Sequence, residues 1–359
     1  MAMCHRRGDK ALEKVEQFRS ENAILVTGGA GYIGSHAVLA LIDAGWRVVV
    51  VDNLSTGFRW AVPEEVAFYL GDIGDPALIA ELAASHQIGA ILHFAGSIIV
   101  PESVSDPLRY YLNNTVKSRA LIEAAVSNKI RHFIFSSTAA TYGIPTSGKP
   151  IAETTEQHPI NPYGSSKLMT EWMLRDVAAA HDFNYCALRY FNVAGADPNL
   201  RTGQSTAGAT HLIKVAVEAA LGKRDGVSVF GTDFATKDGT GVRDYIHVSD
   251  LARAHVQAME HLVAHPSHSH LLNCGYGFGF SVMEVLDAVD RVTNMKINRI
   301  AAARRPGDPD SLVSDNSAIR RELGWSPQFQ DLDLIVKHAL AWERKLTEIR
   351  GGAYEVRHA

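Results

Sequence analysis

Cysteine is scarce: Cys4, Cys186 and Cys274 are the three present in 359 residues, with neither paired nor metal-type spacing. That excludes a disulfide framework and points to a reducing compartment, with the cytoplasm as the expectation. Long apolar runs are missing too. None approaches the ~20 residues that a bilayer span needs, and the N-terminus lacks a signal peptide's apolar segment, so no membrane association is expected. There is no basic excess: 35 Lys and Arg stand against 39 Asp and Glu, for a net charge of -4, which leaves no electrostatic footprint for nucleic acid. Internal repeats and low-complexity linkers are absent. Histidines recur at positions 261, 265, 268 and 270, but in a polar, proline-broken stretch without companion ligands, so no metal site is expected.

What is present is an ordinary globular composition, 46% hydrophobic and 21% charged, in a chain long enough for two lobes sharing a core. Apolar strand candidates at 24–27, 48–51, 67–70, 90–94, 132–136 and 185–190 alternate with helical patterns. That alternation predicts an α/β fold, a doubly wound parallel sheet of Rossmann type. Beyond 195 the pattern breaks into glycine-rich loops, helices over 211–221 and 249–262, and short strands such as 227–230. The expected organisation is a poorly ordered leader over 1–21, a dinucleotide-binding domain over 22–195, and a smaller mixed α/β substrate lobe over 196–359 with segments returning to the main sheet. In the leader, Leu12, Val15 and Phe18 recur at helical spacing after Arg6, Arg7 and Lys10.

The run Ala23-Ile24-Leu25-Val26-Thr27 leads into Gly28-Gly29-Ala30-Gly31-Tyr32-Ile33-Gly34 and then a helical pattern. This is the strand, turn and helix order of a pyrophosphate site, where glycines allow close backbone approach and the helix N-terminus offers free N–H groups. About 20 residues on, the next strand ends in Asp52, placed to accept from ribose hydroxyls and to repel a 2′-phosphate. Asn53 to Thr56 supply no arginine, although Arg59 follows, so NAD is favoured over NADP. Far downstream, Tyr163 and Lys167 stand four apart in Asn161-Pro162-Tyr163-Gly164-Ser165-Ser166-Lys167. On a helix they share one face, where an ammonium can favour the phenolate of a group whose ordinary pKa of roughly 10 makes it a poor base.

With these residues in hand, the chain resembles the extended short-chain dehydrogenase/reductase family, and within it the UDP-glucose 4-epimerases, from about residue 22 to 345. The markers are the glycine turn with Ser35-His36, Asp52-Asn53-Leu54, Gly71-Asp72-Ile73, His93-Phe94-Ala95-Gly96, and Phe135-Ser136-Ser137-Thr138. Further on stand Tyr163 with Lys167, Arg189-Tyr190-Phe191-Asn192, and the stretch from Asp238 to Val248. The resemblance implies NAD as a retained cofactor, a UDP-sugar substrate and a homodimer through helices around 105–127 and 163–180. Catalysis would fall to Tyr163 as acid/base, Lys167 as the cation beside it and Thr138 as the group that orients the sugar O4. The implied cofactor set is Gly28, Gly31, Tyr32, Ile33, Gly34, Asp52, Asn53, Asp72, Ile73, Phe94, Ala95, Gly96, Asn113, Tyr163, Lys167, Tyr190 and Phe191. For the nucleotide sugar it is Thr138, Asn192, Phe230, Arg243, Arg305 and Asp308, with Asp244 or Asp238 as competing partners for Arg243.

The chain departs from the family pattern in two places. Ile98 stands where a lysine commonly reaches the cofactor, and the loop over 206–212 carries Thr210-His211-Leu212 in place of paired asparagines. Leu312 falls near the position that sets room for an N-acetyl group. A 4,6-dehydratase needs an acid and a base directly after the active-site threonine; Ala139-Ala140 cannot move protons. A pentose 4-epimerase shares all these motifs, and the N-acetylhexosamine question stays open at Leu312. A net oxidoreductase would be told apart by sustained NADH release, and a silent NAD-binding relative would have no chemical need for Tyr163, Lys167 and Thr138 together.

Overall fold

The computed structural model describes residues 2–145, 148–305 and 307–356, with side chains described within 10–350; Pro306 and the side chain of Cys4 lie outside these. The first half runs β1 (Ala23–Thr27), α2 (Tyr32–Asp43), β2 (Arg47–Asp52), β3 (Ala67–Leu70), α3 (Pro76–His86), β4 (Ile88–His93), α4 (Val100–Ser105) and α5 (Pro107–Tyr110), preceded by α1 (Ala2–Glu21). A π-helical turn, Tyr111–Val116, joins α5 to α6 (Lys117–Ser127), followed by β5 (His132–Thr138), α7 (Pro162–Ala180) and β6 (Asn184–Tyr190). The second half adds β7 (Asn192–Ala194), α8 (Leu212–Ala220), β8 (Val227–Phe230), β9 (Val242–Arg243), β10 (Tyr245–His247), α9 (Val248–Ala264) and β11 (His270–Cys274). It closes with β12 (Phe280–Ser281), α10 (Val282–Thr293), β13 (Arg299–Ala302), β14 (Ser311–Leu312), α11 (Ser317–Leu323) and α12 (Leu332–Val356).

The central sheet has seven strands in the order β11-β6-β5-β4-β1-β2-β3, every pairing parallel. β1, β4 and β6 are buried along their whole length, as expected when helices cover both faces. Alternate side chains feed separate cores. Ile24, Val26, Val50 and Leu92 pack toward α2 and α9, while Leu25, Val49, Ile91 and Phe133 pack with residues of α3, α6 and α7. Each such fully buried side chain contributes about 1.5–3 kcal/mol. β11, from the second half, completes the sheet beside β6, with His270 opposite Cys186 and Cys274 opposite Tyr190.

Local sequence sets the helix starts. Asp75 caps α3, accepting from Ala77 N at 2.9 Å, with Pro76 at the first helical position. Asn161 caps α7 by accepting from Gly164 N at 2.9 Å, with Pro162 likewise placed, and Ser281 with Glu284 forms a capping box on α10. These caps fix where α7 begins and hence where Tyr163 stands.

The leader differs from the expectation of disorder. It is helical, and Val15 is buried in the main core. Phe18 meets Trp46 and His132 edge-on at 6.1 and 5.2 Å, and Arg19 lies over Trp46 while pairing with Glu260 at 3.2 Å. Val15 and Phe18 fall three apart on one helical face, and that face is what ties the segment down.

Three histidines are buried in the neutral form. Burial lowers His36 to about 4, His93 to about 3 and His255 to about 4 from an ordinary value of 6.5. A depressed folded-state pKa means that between pH 6.5 and about 4 the unfolded chain binds more protons. Acid therefore favours unfolding, by up to ~1.4 kcal/mol per pH unit for each histidine. Denaturant unfolding should give a lower midpoint at pH 5 than at pH 7, and His93→Gln should make that dependence shallower. Equal midpoints at the two pH values would contradict the assignment.

Candidate active site

Because every strand of the sheet runs the same way, the residues that end or follow β1 to β6 lie beyond one edge, at the strands' carboxyl ends. The glycine turn leaves β1 at Gly28, whose φ is +69° and whose N–H donates to Val51 O at 2.9 Å. A Cβ there would lie 2.6 Å from Ala95 N, and a Cβ on Gly34 would fall on Gly28 O. The turn is thus closed by backbone alone, and the N-cap of α2, Gly31, offers no side chain to its first amides. Those amides are the donor set an anionic pyrophosphate fits. Asp52 holds the turn, accepting from Ala30 N at 2.9 Å through one oxygen and Leu54 N at 2.8 Å through the other. Each carboxylate oxygen keeps a second acceptor direction, which suits a pair of ribose hydroxyls. Arg59 turns away, donating to Val62 O at 2.8 Å and lying over Phe68, so no cation answers a 2′-phosphate there.

The neighbouring strand ends carry the rest of the expected cofactor set. Asn53 is exposed and accepts from Ser55 N at 3.0 Å. Asp72 accepts from Gly74 N and pairs with Lys117, which together hold its carboxyl below the usual range against the opposing effect of burial. Ile73 is buried beside β1. Phe94 packs against His255 at 4.8 Å, ahead of Ala95 and Gly96. Asn113 donates to Ser97 Oγ at 3.1 Å. Its neighbour Asn114, missed by the sequence reading, makes the buried contacts: it accepts from Ser97 N and donates to Ser97 O and Ser166 Oγ. The adjacent pair Asn113-Asn114 was the available signal.

Tyr163 and Lys167 share a face of α7, as their spacing predicts. Tyr163 keeps part of its surface open, yet burial raises its phenol above the ordinary value, while a hydrogen bond with Thr138 lowers it. Thr138 ends β5 and sits opposite Tyr190 in the ladder. The simple picture of a phenolate held by Lys167 needs correction. Lys167 is buried, its Nζ donates to Ser136 O at 2.9 Å and lies over the Phe135 ring, and burial pushes its pKa down to about 8. Burial thus keeps the Tyr163 phenol in its protonated form, and base action depends on added positive charge.

The second half supplies a facing wall. Tyr190 bonds His255 through its hydroxyl, Phe191 packs with Tyr142, Ile151 and Leu312, and Asn192 N donates to Asp244 O at 2.9 Å. The guanidinium of Arg243 pairs with Asp308 at 2.7 Å, not with Asp244 or Asp238. Asp244 is buried and committed to Ser314, Tyr276 N and Gly277 N, and Asp238 to Thr240 and Ser281. Arg305 stacks on Phe230 at 3.7 Å. A cleft lined in part by Tyr32, Asn192, His211 and Tyr245 joins this wall to the glycine turn. Ile98 stays largely exposed on the other side. Among the described residues no group of three or more His, Cys, Asp or Glu is placed to hold a metal, and the His261 ring meets His265 at a tilt and His270 edge-on.

Residues 24–275 match the family model described as the NAD dependent epimerase/dehydratase family. The chain belongs to this family. It is 53% identical over 338 residues to the UDP-glucose 4-epimerase of Azospirillum brasilense, covering 94% of this chain and 97% of that one. A crystal structure of UDP-glucose 4-epimerase from Brucella ovis in complex with NAD is similar with a TM-score of 0.86 at 44% identity, covering 89% and 98% of the two chains. The UDP-glucose-4-epimerase from Stenotrophomonas maltophila, solved with NAD and formylated UDP-arabinopyranose, gives a TM-score of 0.88 at 38% identity, covering 91% and 99%.

In a member of this family the closed glycine turn is expected to be intolerant of a single methyl. Gly34→Ala should destabilise the fold by about 1–3 kcal/mol and yield protein that no longer carries dinucleotide, read from the 260/280 nm absorbance ratio. A variant with wild-type melting and absorbance would contradict the geometry.

Proposed function

We propose that this chain interconverts UDP-galactose and UDP-glucose by oxidation and reduction at C4, with NAD held through the cycle. The observation that supports this reading is the hydrogen bond of Tyr163 with Thr138 at the carboxyl end of β5, on the sheet edge where the bare glycine turn leaves β1. NAD, once bound at the turn, supplies the acceptor that takes hydrogen from C4 and gives it back. The protein's residues do the rest. Asp52 receives the adenosine ribose, and the amides of Tyr32, Ile33 and Gly34 take the pyrophosphate. Arg243 and Arg305 receive the substrate diphosphate, for which a planar fork with parallel donors is suited, and Phe230 offers a ring face to the base. Thr138 orients O4. Tyr163 removes the O4 proton as the sugar is oxidised and returns it as the 4-keto group is reduced, now on the opposite face after the sugar has turned. Lys167 and the positive charge of the oxidised cofactor favour the phenolate that takes the O4 proton in the removal step. Ala139 and Ala140 beside Thr138 leave no group to eliminate water from the keto sugar.

The homodimer belongs to the same proposal. Val104, Leu108, Leu112 and Val116 form a stripe four residues apart across α4, α5 and the π-helical turn, each at least half exposed, with Trp172 of α7 also exposed. A second copy fits it, because an isologous contact presents the same apolar stripe from both sides. A cytoplasmic setting is supported by Cys186 and Cys274, free and buried; no described helix is long and apolar enough to cross a membrane.

Tyr163→Phe should lower turnover of UDP-galactose by ~10²–10⁴-fold with unchanged melting and retained NAD; turnover near the wild-type level would overturn the assignment. Leu108→Glu with Leu112→Glu should convert a dimer to a monomer in sedimentation velocity at micromolar protein, and a wild-type protein that sediments as a monomer would remove the interface.

A further inference from the structure

Taking the reaction proposed above as its basis, we infer that Glu171 is a positioning residue for it. From the inner side of α7 it clamps the helix to β5 and β6 and keeps Lys167 an ammonium beside Tyr163. Glu171 lies one turn beyond Lys167 and is 3% exposed. Its Oε1 accepts from Ser137 Oγ at 2.5 Å and Arg189 Nε at 3.0 Å, and its Oε2 from Arg189 Nη2 at 2.6 Å. Arg189, with no exposed surface, stacks over Tyr142 at 4.6 Å. With its amide oxygen turned toward Arg189, Gln157 accepts from Nη1 at 3.1 Å and Nη2 at 2.7 Å. Each clamp point neighbours the site in sequence. Ser137 precedes Thr138, Arg189 precedes Tyr190, and Gln157 lies in the segment leading to Tyr163.

A buried ion pair is a poor way to gain stability, since apolar side chains of similar volume hold two elements together as well or better. What charge adds here is its effect on Lys167. The groups facing that ammonium are Glu171 one turn along α7, with Arg189 of β6 bonded to it, Ser136 O and the Phe135 ring on β5, and His93 on β4, which burial keeps neutral. Gly96, after β4, lies close to Nζ, and Asn114 is next to it. Glu171 is the one of these that carries negative charge, and it opposes the burial that lowers Lys167. Removing that charge lets Lys167 shed its proton nearer neutral pH, and Tyr163 then loses the cation its base action requires.

The test uses NAD-loaded enzyme with selectively labelled lysine, following Lys167 by NMR as pH rises, assigned with Lys167→Arg, together with the pH profile of kcat. Two variants are compared: Glu171→Gln, and Glu171→Gln combined with Arg189→Met, which leaves no buried charge unpaired. In Glu171→Gln the Lys167 midpoint should fall by about one pH unit, in the double variant, which also loses the Arg189 cation, it should fall by less, and the alkaline fall of kcat should move with it. At pH 8 kcat should drop up to ~10-fold, while KM for UDP-galactose changes less than twofold. A double variant that melts like wild type and keeps the Lys167 midpoint and the kcat profile overturns the inference, and so does failure of both variants to fold, because the pair is then a structural clamp. Absence of UDP-galactose conversion by the wild-type enzyme would instead remove the proposed reaction, while the NMR titration still reports whether Glu171 acts on Lys167.

Discussion

Parallel strand direction is the constraint on which the rest depends. In a sheet whose strands all run the same way, carboxyl ends line one edge, and whatever follows each strand is delivered there. Gly28 after β1, Asp52 ending β2, Asp72 after β3, Phe94 after β4, Thr138 ending β5 and Phe191 after β6 arrive at that edge without any contact among them in sequence. The buried apolar strands supply the energy that holds this arrangement, and the polar residues that follow them stand where a ligand can use them.

Two further devices convert that edge into a site. One is the tight backbone closure of the glycine turn, in which Gly28 and Gly34 leave no room for a side chain and Asp52 ties the turn to the strand beside it. The other is the seating of α7. Asn161 and Pro162 start the helix at a defined place, and Glu171 fastens its inner side to Ser137 and Arg189. Tyr163 therefore stands next to Thr138 by construction. Its raised phenol and the depressed Lys167 ammonium both reflect burial.

Much of this was legible in the sequence because it depends on local order. Strand, turn and helix signals placed the glycine turn, and the strand candidates match the observed elements to within two residues at either end, since uninterrupted apolar runs such as Val48 to Val51 have few other uses. Less legible were choices of partner made by tertiary packing. The competition of Asp308 with Asp244 for Arg243 is decided by a loop over 60 residues away, and the turning of Lys167 toward Ser136 depends on the helix meeting β5. The burial of Asn114 rather than Asn113 follows from a π-helical turn that periodicity does not reveal. The leader helix gave a weak signal because Val15 and Phe18 are the apolar residues that carry its contact among the described side chains, with Leu12 left exposed.

The account rests on hydrogen leaving C4 and returning to the same carbon on its other face. The most direct measurement is to incubate the purified protein, without added NAD, with UDP-galactose deuterated at C4 and to follow the products by mass spectrometry and proton NMR. The account predicts UDP-glucose with the deuterium retained at C4 and no accumulation of NADH. Loss of the label to solvent, or steady release of NADH with a keto product, would contradict it.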